Sequence, residues 1–175
     1  MENDTYYLVG KIIESVQNIE HYLIEGTKIA KILNVFTKYK KVSPLYFQKI
    51  DEETKKLAEE MENMTFGQLM GIVRKYDVLP SDDMDYLESI LSKRNQLVHR
   101  YFKYNEMNTC SEEIKIKYLT KFLEEAKAFQ KYLNHVIGEM RIDLKNVNGY
   151  LNTTLSFISF IYYPCFYFGI FGCPF

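Results

Sequence analysis

The feature that most constrains the fold is how much of the sequence runs without a helix breaker. Only 4 prolines and 8 glycines occur in 175 residues, and these are the residues that disfavour a helix interior most strongly. Over about residues 5–39 apolar side chains recur at steps of three and four, which is the spacing of one helix face. The pattern predicts a long first helix, in which Gly26 is the candidate for an interruption. Its apolar members are Leu8, Ile12, Ile13, Val16, Ile19, Leu23, Ile29, Ile32, Leu33 and Phe36.

A turn at Ser43–Pro44 separates this helix from a charged run at residues 51–63, which is typical of a solvated helix face. A short helix is predicted next, because four apolar residues lie on one side of it. Their positions are Phe66, Leu69, Met70 and Val73.

A clean helix start follows Leu79–Pro80, with Ser81 as the predicted N-cap. The aspartates after it favour the positive end of the helix dipole, and this explanation is preferred over a metal site. That helix is predicted over about residues 82–101, and a last long helix over about residues 112–145. The acidic residues of the first turn are Asp82, Asp83 and Asp85.

No stretch before residue 150 has the two-residue period of a strand, and no phosphate-binding glycine motif is present. The sequence therefore predicts an all-α domain over residues 1–147, built as an antiparallel helical bundle. Three cysteines without CxxC spacing argue against a disulfide framework or a zinc site and fit a reducing compartment. The first residues lack the features of a secretory signal, so a cytoplasmic protein is expected.

The last 30 residues, 146–175, carry no charged side chain, and many of them are aromatic. Residues 155–175 have about the length needed to cross a bilayer as a helix, although prolines and glycines there disfavour a regular helix. We expect a separate hydrophobic tail over residues 148–175. It is a membrane anchor, a segment that packs on the bundle or at an interface, or an aberrant and poorly ordered end.

An arginine inside an apolar helix stripe is the most informative single residue. At about 100° per residue, Arg94 falls midway between Leu91 and Val98 on the predicted fourth helix, on a face whose other members are Leu87, Ile90, Tyr101 and Phe102. A guanidinium keeps its proton, and its burial without a partner is costly. Arg94 therefore either pairs with an acid on another helix or faces a cleft that receives an anion.

The residues that follow Arg94 extend this second alternative. His99 lies about 140° around the helix from Arg94 and shares a face with Asn95, so the three can border one groove. No acid occurs between Glu88 and Glu106, so the local charge is positive although the net charge of the chain is −1. His21 and His135, in contrast, are expected to be packing or surface residues.

The segment RNQLVH, residues 94–99, resembles the R-x4-H motif of the HEPN superfamily, the higher eukaryotes and prokaryotes nucleotide-binding domains. Tyr101 extends the likeness to the R-x4-H-x-Y form of HepT-like toxins. The similarity covers about residues 66–102 as sequence and about residues 5–145 as architecture. It implies a HEPN-like helical bundle and a metal-independent endoribonuclease that needs no cofactor and acts as a homodimer, as a toxin or anti-phage effector.

The resemblance also implies a role for each motif residue. His99 would take the proton of the RNA 2′-hydroxyl or assist the departing 5′-oxygen, Arg94 would hold the scissile phosphate, and Asn95 would orient His99 or a phosphate oxygen. Tyr101 would be a candidate site for AMP transfer by a partner nucleotidyltransferase antitoxin, unless it serves packing. The alternative function is a non-catalytic binding or regulatory module that dimerises through the same helix.

Binding of RNA needs further cations. Three lie beside the motif, at Lys93, Arg100 and Lys103. Residues 27–49 form a second basic strip with interleaved aromatic residues, and its candidate RNA-binding members are Lys38, Lys40 and Lys41. A solvated face with aromatic residues in the core is the other explanation of this strip.

Overall fold

Five α-helices make up the part of the chain that the computed structural model describes, residues 2–38, 44–100 and 110–162, and these ranges contain no β-strand. The all-α prediction is therefore confirmed for them. The helices are α1 (Glu2–Lys38), α2 (Pro44–Glu62), α3 (Phe66–Lys75), α4 (Ser81–Arg100) and α5 (Glu112–Tyr162).

Helix α1 is the central element, because each of the other four helices packs against it. Six members of the predicted stripe are buried, and Ile12, Ile19 and Leu23 among them have no exposed surface. The other four are partly buried, so the prediction is correct for most of the stripe. They are Leu8, Ile13, Leu33 and Phe36. Gly26 does not interrupt α1: it is a buried helical residue.

Helices α1 and α5 run parallel, since three pairs of side chains are hydrogen-bonded between them and both residue numbers rise together from pair to pair. The antiparallel arrangement expected from the sequence is wrong for this pair. The bonds are from Thr5 Oγ1 to Glu112 Oε2 at 3.1 Å, from Ser15 Oγ to Gln130 Oε1 at 2.8 Å, and from Arg141 Nε and Nη2 to the Glu25 carboxylate at 2.7 and 2.6 Å.

Helix α4 runs antiparallel to α5. At its start Tyr132 donates a 2.5 Å hydrogen bond to Asp83, and nearer its end Lys93 forms an ion pair with Glu125. The hydrogen bond to Asp83 raises the pKa of the Tyr132 hydroxyl. The predicted antiparallel packing is therefore correct for α4 and α5.

The shorter helices begin close to where the sequence predicts. Thr65 is the N-cap of α3 and forms a capping box with Gln68, and the predicted face of α3 is buried in the core. Ser81 is the first helical residue of α4 rather than its N-cap, and its hydroxyl donates to Asp82 at 3.5 Å. Asp82 and Asp83 lie in the first turn, as the helix dipole favours.

Helix α5 continues well past the expected domain boundary. The boundary predicted between residues 147 and 148 falls inside α5, which ends at Tyr162 rather than near residue 145. In the described ranges, no helix combines the length and the apolar character needed to span a lipid bilayer. The rest of the tail, residues 163–175, lies outside the described residues, so its three alternatives remain predictions.

We expect Gly26→Ala to destabilise the protein by about 1–3 kcal/mol, the usual cost of overpacking a filled core. An added methyl carbon would lie 2.9 Å from Val78 Cγ1 and closer still to Ile137 Cδ1, so it would force α1, α5 and the loop before α4 apart. Urea denaturation of the full chain measures the change.

Gly10→Ala is the matched control, because Gly10 lies on the same helix with no atom within 4 Å of the position of an added methyl carbon. Here the better helix propensity of alanine should raise stability by up to about 1 kcal/mol. Equal effects of the two substitutions would contradict close packing at Gly26.

Candidate functional site

Arg94 lies in the buried stripe of α4, as the sequence predicts, although its neighbours in that stripe differ. Ile90 and Leu97, at steps of four and three from it, are 1% and 4% exposed. Leu91 and Val98, the expected neighbours, are only partly buried. Leu97 is a core residue that the sequence analysis does not assign, and the expected members Tyr101 and Phe102 lie outside the described residues. The half-buried Arg94 side chain starts from the interface between α4 and α1.

The guanidinium of Arg94 has one hydrogen bond in the described part of the chain, donated from Nη1 to Asn95 Oδ1 at 3.1 Å. Asn95 is exposed, so this bond directs the guanidinium from the buried seam toward the surface. Since a guanidinium has five N–H donors, most of its donor capacity is open to another acceptor.

Glu20 on α1 is the acid whose charge interacts with Arg94. Burial raises the pKa of the half-buried Glu20 carboxyl, and the positive charge of Arg94 opposes that rise. The two side chains form no ion pair, as the bridges within the described ranges show. Arg94 therefore has an acid nearby without being neutralised by direct contact.

His99 and Asn95 share one exposed flank of α4, as their four-residue spacing predicts. Because Arg94 reaches this flank through its bond to Asn95, the three motif residues are connected at the C-terminal end of α4. The arrangement presents a cation, an amide and an imidazole at one surface, which are groups suited to binding an anion and moving a proton.

Lys93, an expected RNA contact, joins α4 to α5. Its ammonium group pairs with Glu125 and lies 5.9 Å from the centre of the Phe122 ring. On the helix it lies about 120° away from His99. A contact of Lys93 with RNA stays a prediction.

Several expected site residues lie outside what the structure describes. Among the cations these are Lys40, Lys41, Lys103 and the side chain of Arg100, the last residue of α4. The expected modification site, Tyr101, lies outside it as well.

Lys38 is the described member of the second basic strip, and it lies far from the motif. It ends α1, 18 residues after Glu20, and a helix rises 1.5 Å per residue, so about 27 Å of α1 separates the two. Gly26 of α1 adjoins Val78, just before α4, whereas Glu20 is near Arg94. Helix α4 thus runs antiparallel to α1 and carries His99 farther from Lys38. Within one molecule, Lys38 does not border the motif.

Glu20 is a part of the site that no pattern in the sequence indicates. Glu20 is adjacent to the buried Ile19 on α1, but only the packing of α1 on α4 brings it near Arg94, 74 positions later in the sequence.

Within the described ranges, no group of three or more His, Cys, Asp or Glu side chains is arranged to hold a metal ion.

No protein-family model, curated protein or solved structure matches the chain.

We expect the interaction between Glu20 and Arg94 to appear as a pH-dependent coupling. At pH 7 Arg94→Gln should destabilise the protein more than it does in a Glu20→Gln background, by a few tenths to about 1 kcal/mol. The folded-state pKa of Glu20 is raised, so its burial penalty is present above that pKa and disappears as the pH falls below the unfolded value near 4.3. The coupling should therefore vanish near pH 3.5.

A double-mutant cycle by urea denaturation at the two pH values measures this coupling. Glu124→Gln, on an exposed position of α5, replaces Glu20→Gln in the control cycle and should show no coupling to Arg94. A Glu20 coupling that is the same at both pH values would contradict the electrostatic explanation.

Proposed function

We propose that this protein is a metal-independent endoribonuclease of the HEPN type that acts as a homodimer, in the role of a toxin or anti-phage effector. The observation that carries the proposal is the position of Arg94. Arg94 is partly buried in a helix seam, and its guanidinium forms no ion pair with an acid in the described ranges. The guanidinium donates a hydrogen bond to Asn95 on the flank that also exposes His99. These three residues occupy the positions of the R-x4-H motif and its polar second residue.

The chemistry needs one base, one acid and one cation at a phosphodiester. A neutral His99 would take the proton from the 2′-hydroxyl as that oxygen attacks phosphorus, and a protonated imidazole would give a proton to the departing 5′-oxygen. The bond from phosphorus to the 5′-oxygen breaks as the new bond forms. The products are a 2′,3′-cyclic phosphate and a 5′-hydroxyl, and the charge on the phosphoryl oxygens would be stabilised by Arg94.

A single copy supplies one His99 and one Arg94, whereas the reaction uses a base and an acid. Two copies related by a two-fold axis would bring a second imidazole to the same phosphate. Asn95 accepts a hydrogen bond from Arg94, which favours a role in holding the guanidinium over a role in orienting His99. Tyr101, the candidate site of AMP transfer by an antitoxin, and a cytoplasmic location belong to the same proposal.

A non-catalytic module that dimerises through α4 is the second candidate. It is favoured by the nearby Glu20, whose carboxylate attracts Arg94, and by the use of Lys93 in the contact between α4 and α5. In that case Arg94 would serve assembly and not turnover.

We expect the purified chain to cleave RNA in the presence of EDTA, and His99→Ala to reduce the rate about 10²–10⁴-fold, which is the usual contribution of general acid–base catalysis. Arg94→Ala should reduce it by a similar factor, because it removes the stabilisation of the developing charge. Gel analysis of a labelled RNA and detection of the cyclic phosphate end measure both.

The matched controls are His135→Ala and Arg74→Ala, which change an exposed histidine of α5 and an exposed arginine of α3. Both should retain wild-type cleavage. If all five proteins cut alike, the activity is a contaminant and the proposal fails. If none cuts any RNA pool while Arg94→Ala alters the oligomeric state, the binding module is the correct function.

A further inference from the structure

One face of α5 carries a group of exposed lysines. Four exposed lysines lie within about 120° of the helix circumference and along about 21 Å of its axis, at 1.5 Å per residue. They are Lys117, Lys121, Lys127 and Lys131.

These lysines form no ion pair within the described ranges, whereas other lysines there do, such as Lys11 with Glu14 and Lys55 with Asp51. Two pairs of them are spaced four residues apart, an arrangement in which like charges repel and weaken a helix. Between Lys117 and Lys131 the acids of α5 are Glu124, on the same face, and Glu125, which pairs with Lys93. On the neighbouring α1, Glu14 is near enough to Lys127 for their charges to interact, and it is itself paired with Lys11. The face is therefore positively charged, although repulsion between its lysines lowers the stability of the helix.

The positive face continues to the end of α4 that carries the motif. Because α4 and α5 are antiparallel, later residues of α4 contact earlier residues of α5. Asp83 contacts Tyr132, and Lys93 contacts Glu125. Tyr118 and Lys121 lie two turns and one turn before Glu125, on the same flank of α5, and are level with the end of α4. Tyr118 is 41% exposed, which leaves one side of its ring open.

We propose that this lysine face of α5, with Tyr118 at its edge, is the surface that binds the single-stranded RNA substrate. The inference rests on the proposed function, and it replaces the distant strip at Lys38 as the substrate contact within one molecule. Lysines spaced along a helix neutralise successive phosphates of a strand, and an exposed aromatic ring stacks on a base without regard to sequence. An acidic peptide would use the lysines but not the ring.

The test is binding of a fluorescein-labelled 20-mer of oligouridylate to the full chain, followed by anisotropy at several salt concentrations. All proteins carry His99→Ala, so that the RNA stays intact. Lys117→Glu with Lys121→Glu should weaken binding at least tenfold and reduce the slope of log affinity against log salt by about 1.4, at about 0.7 for each lost phosphate contact to a single strand. Tyr118→Ala should weaken binding at least about fivefold without changing that slope.

The matched control is Lys55→Glu with Lys56→Glu, which makes the same change of net charge on exposed positions of α2, outside the basic strip at residues 27–49. It should change affinity less than threefold. Circular dichroism checks the fold of each variant, and Lys117→Gln with Lys121→Gln replaces the reversal if that variant unfolds. Equal losses in the α5 and α2 pairs, or equally strong competition by polyglutamate of the same length, would overturn the proposal.

The binding assay and the cleavage assay fail separately. If the α5 pair loses RNA binding but His99→Ala cleaves like the wild type, the surface stands and the catalytic proposal falls. If cleavage depends on His99 while the α5 and α2 pairs bind RNA equally, the catalytic proposal stands and the α5 surface is overturned.

Discussion

The parallel packing of α1 against α5 is the contact on which the rest of the structure depends. The two longest helices bury their apolar stripes against each other, and Gly26 of α1 leaves room for Ile137 of α5, where a larger residue would clash. Hydrogen bonds and the Glu25–Arg141 pair fix the register at three points along the contact. Helix α4 packs on both of these helices, so their register also fixes which residues lie near the motif at the end of α4.

The candidate site follows from a conflict between burial and charge. The helical period places Arg94 among core residues, where an ammonium or guanidinium group is costly unless it is paired. The structure satisfies the guanidinium only in part. Arg94 donates one hydrogen bond to Asn95, and the charge of Glu20 attracts it without an ion pair in direct contact. A partly satisfied guanidinium is suited to an incoming phosphate, because its remaining donors need an acceptor.

Local patterns in the sequence predict most of the helices and their buried faces. The stripes of α1 and α3, the solvated face of α2 and the seam position of Arg94 all follow from a period of 3.6 residues, and the structure confirms them. The same local reasoning went wrong where partners decide. Ser81 is the first residue of α4 and not its N-cap, and α1 runs parallel and not antiparallel to α5.

The sequence by itself therefore determined the helices and most of their buried faces, since these depend on residues within a few turns of one another. Only the tertiary structure decided which charges meet. Glu20 comes near Arg94, and Lys93 pairs with Glu125. Lys38 lies at a distance from the end of α4 that carries the motif, whereas Lys121 of α5 is level with that end. The physical reason is that helix register and direction come from packing between distant segments, which a periodic pattern along one segment does not encode.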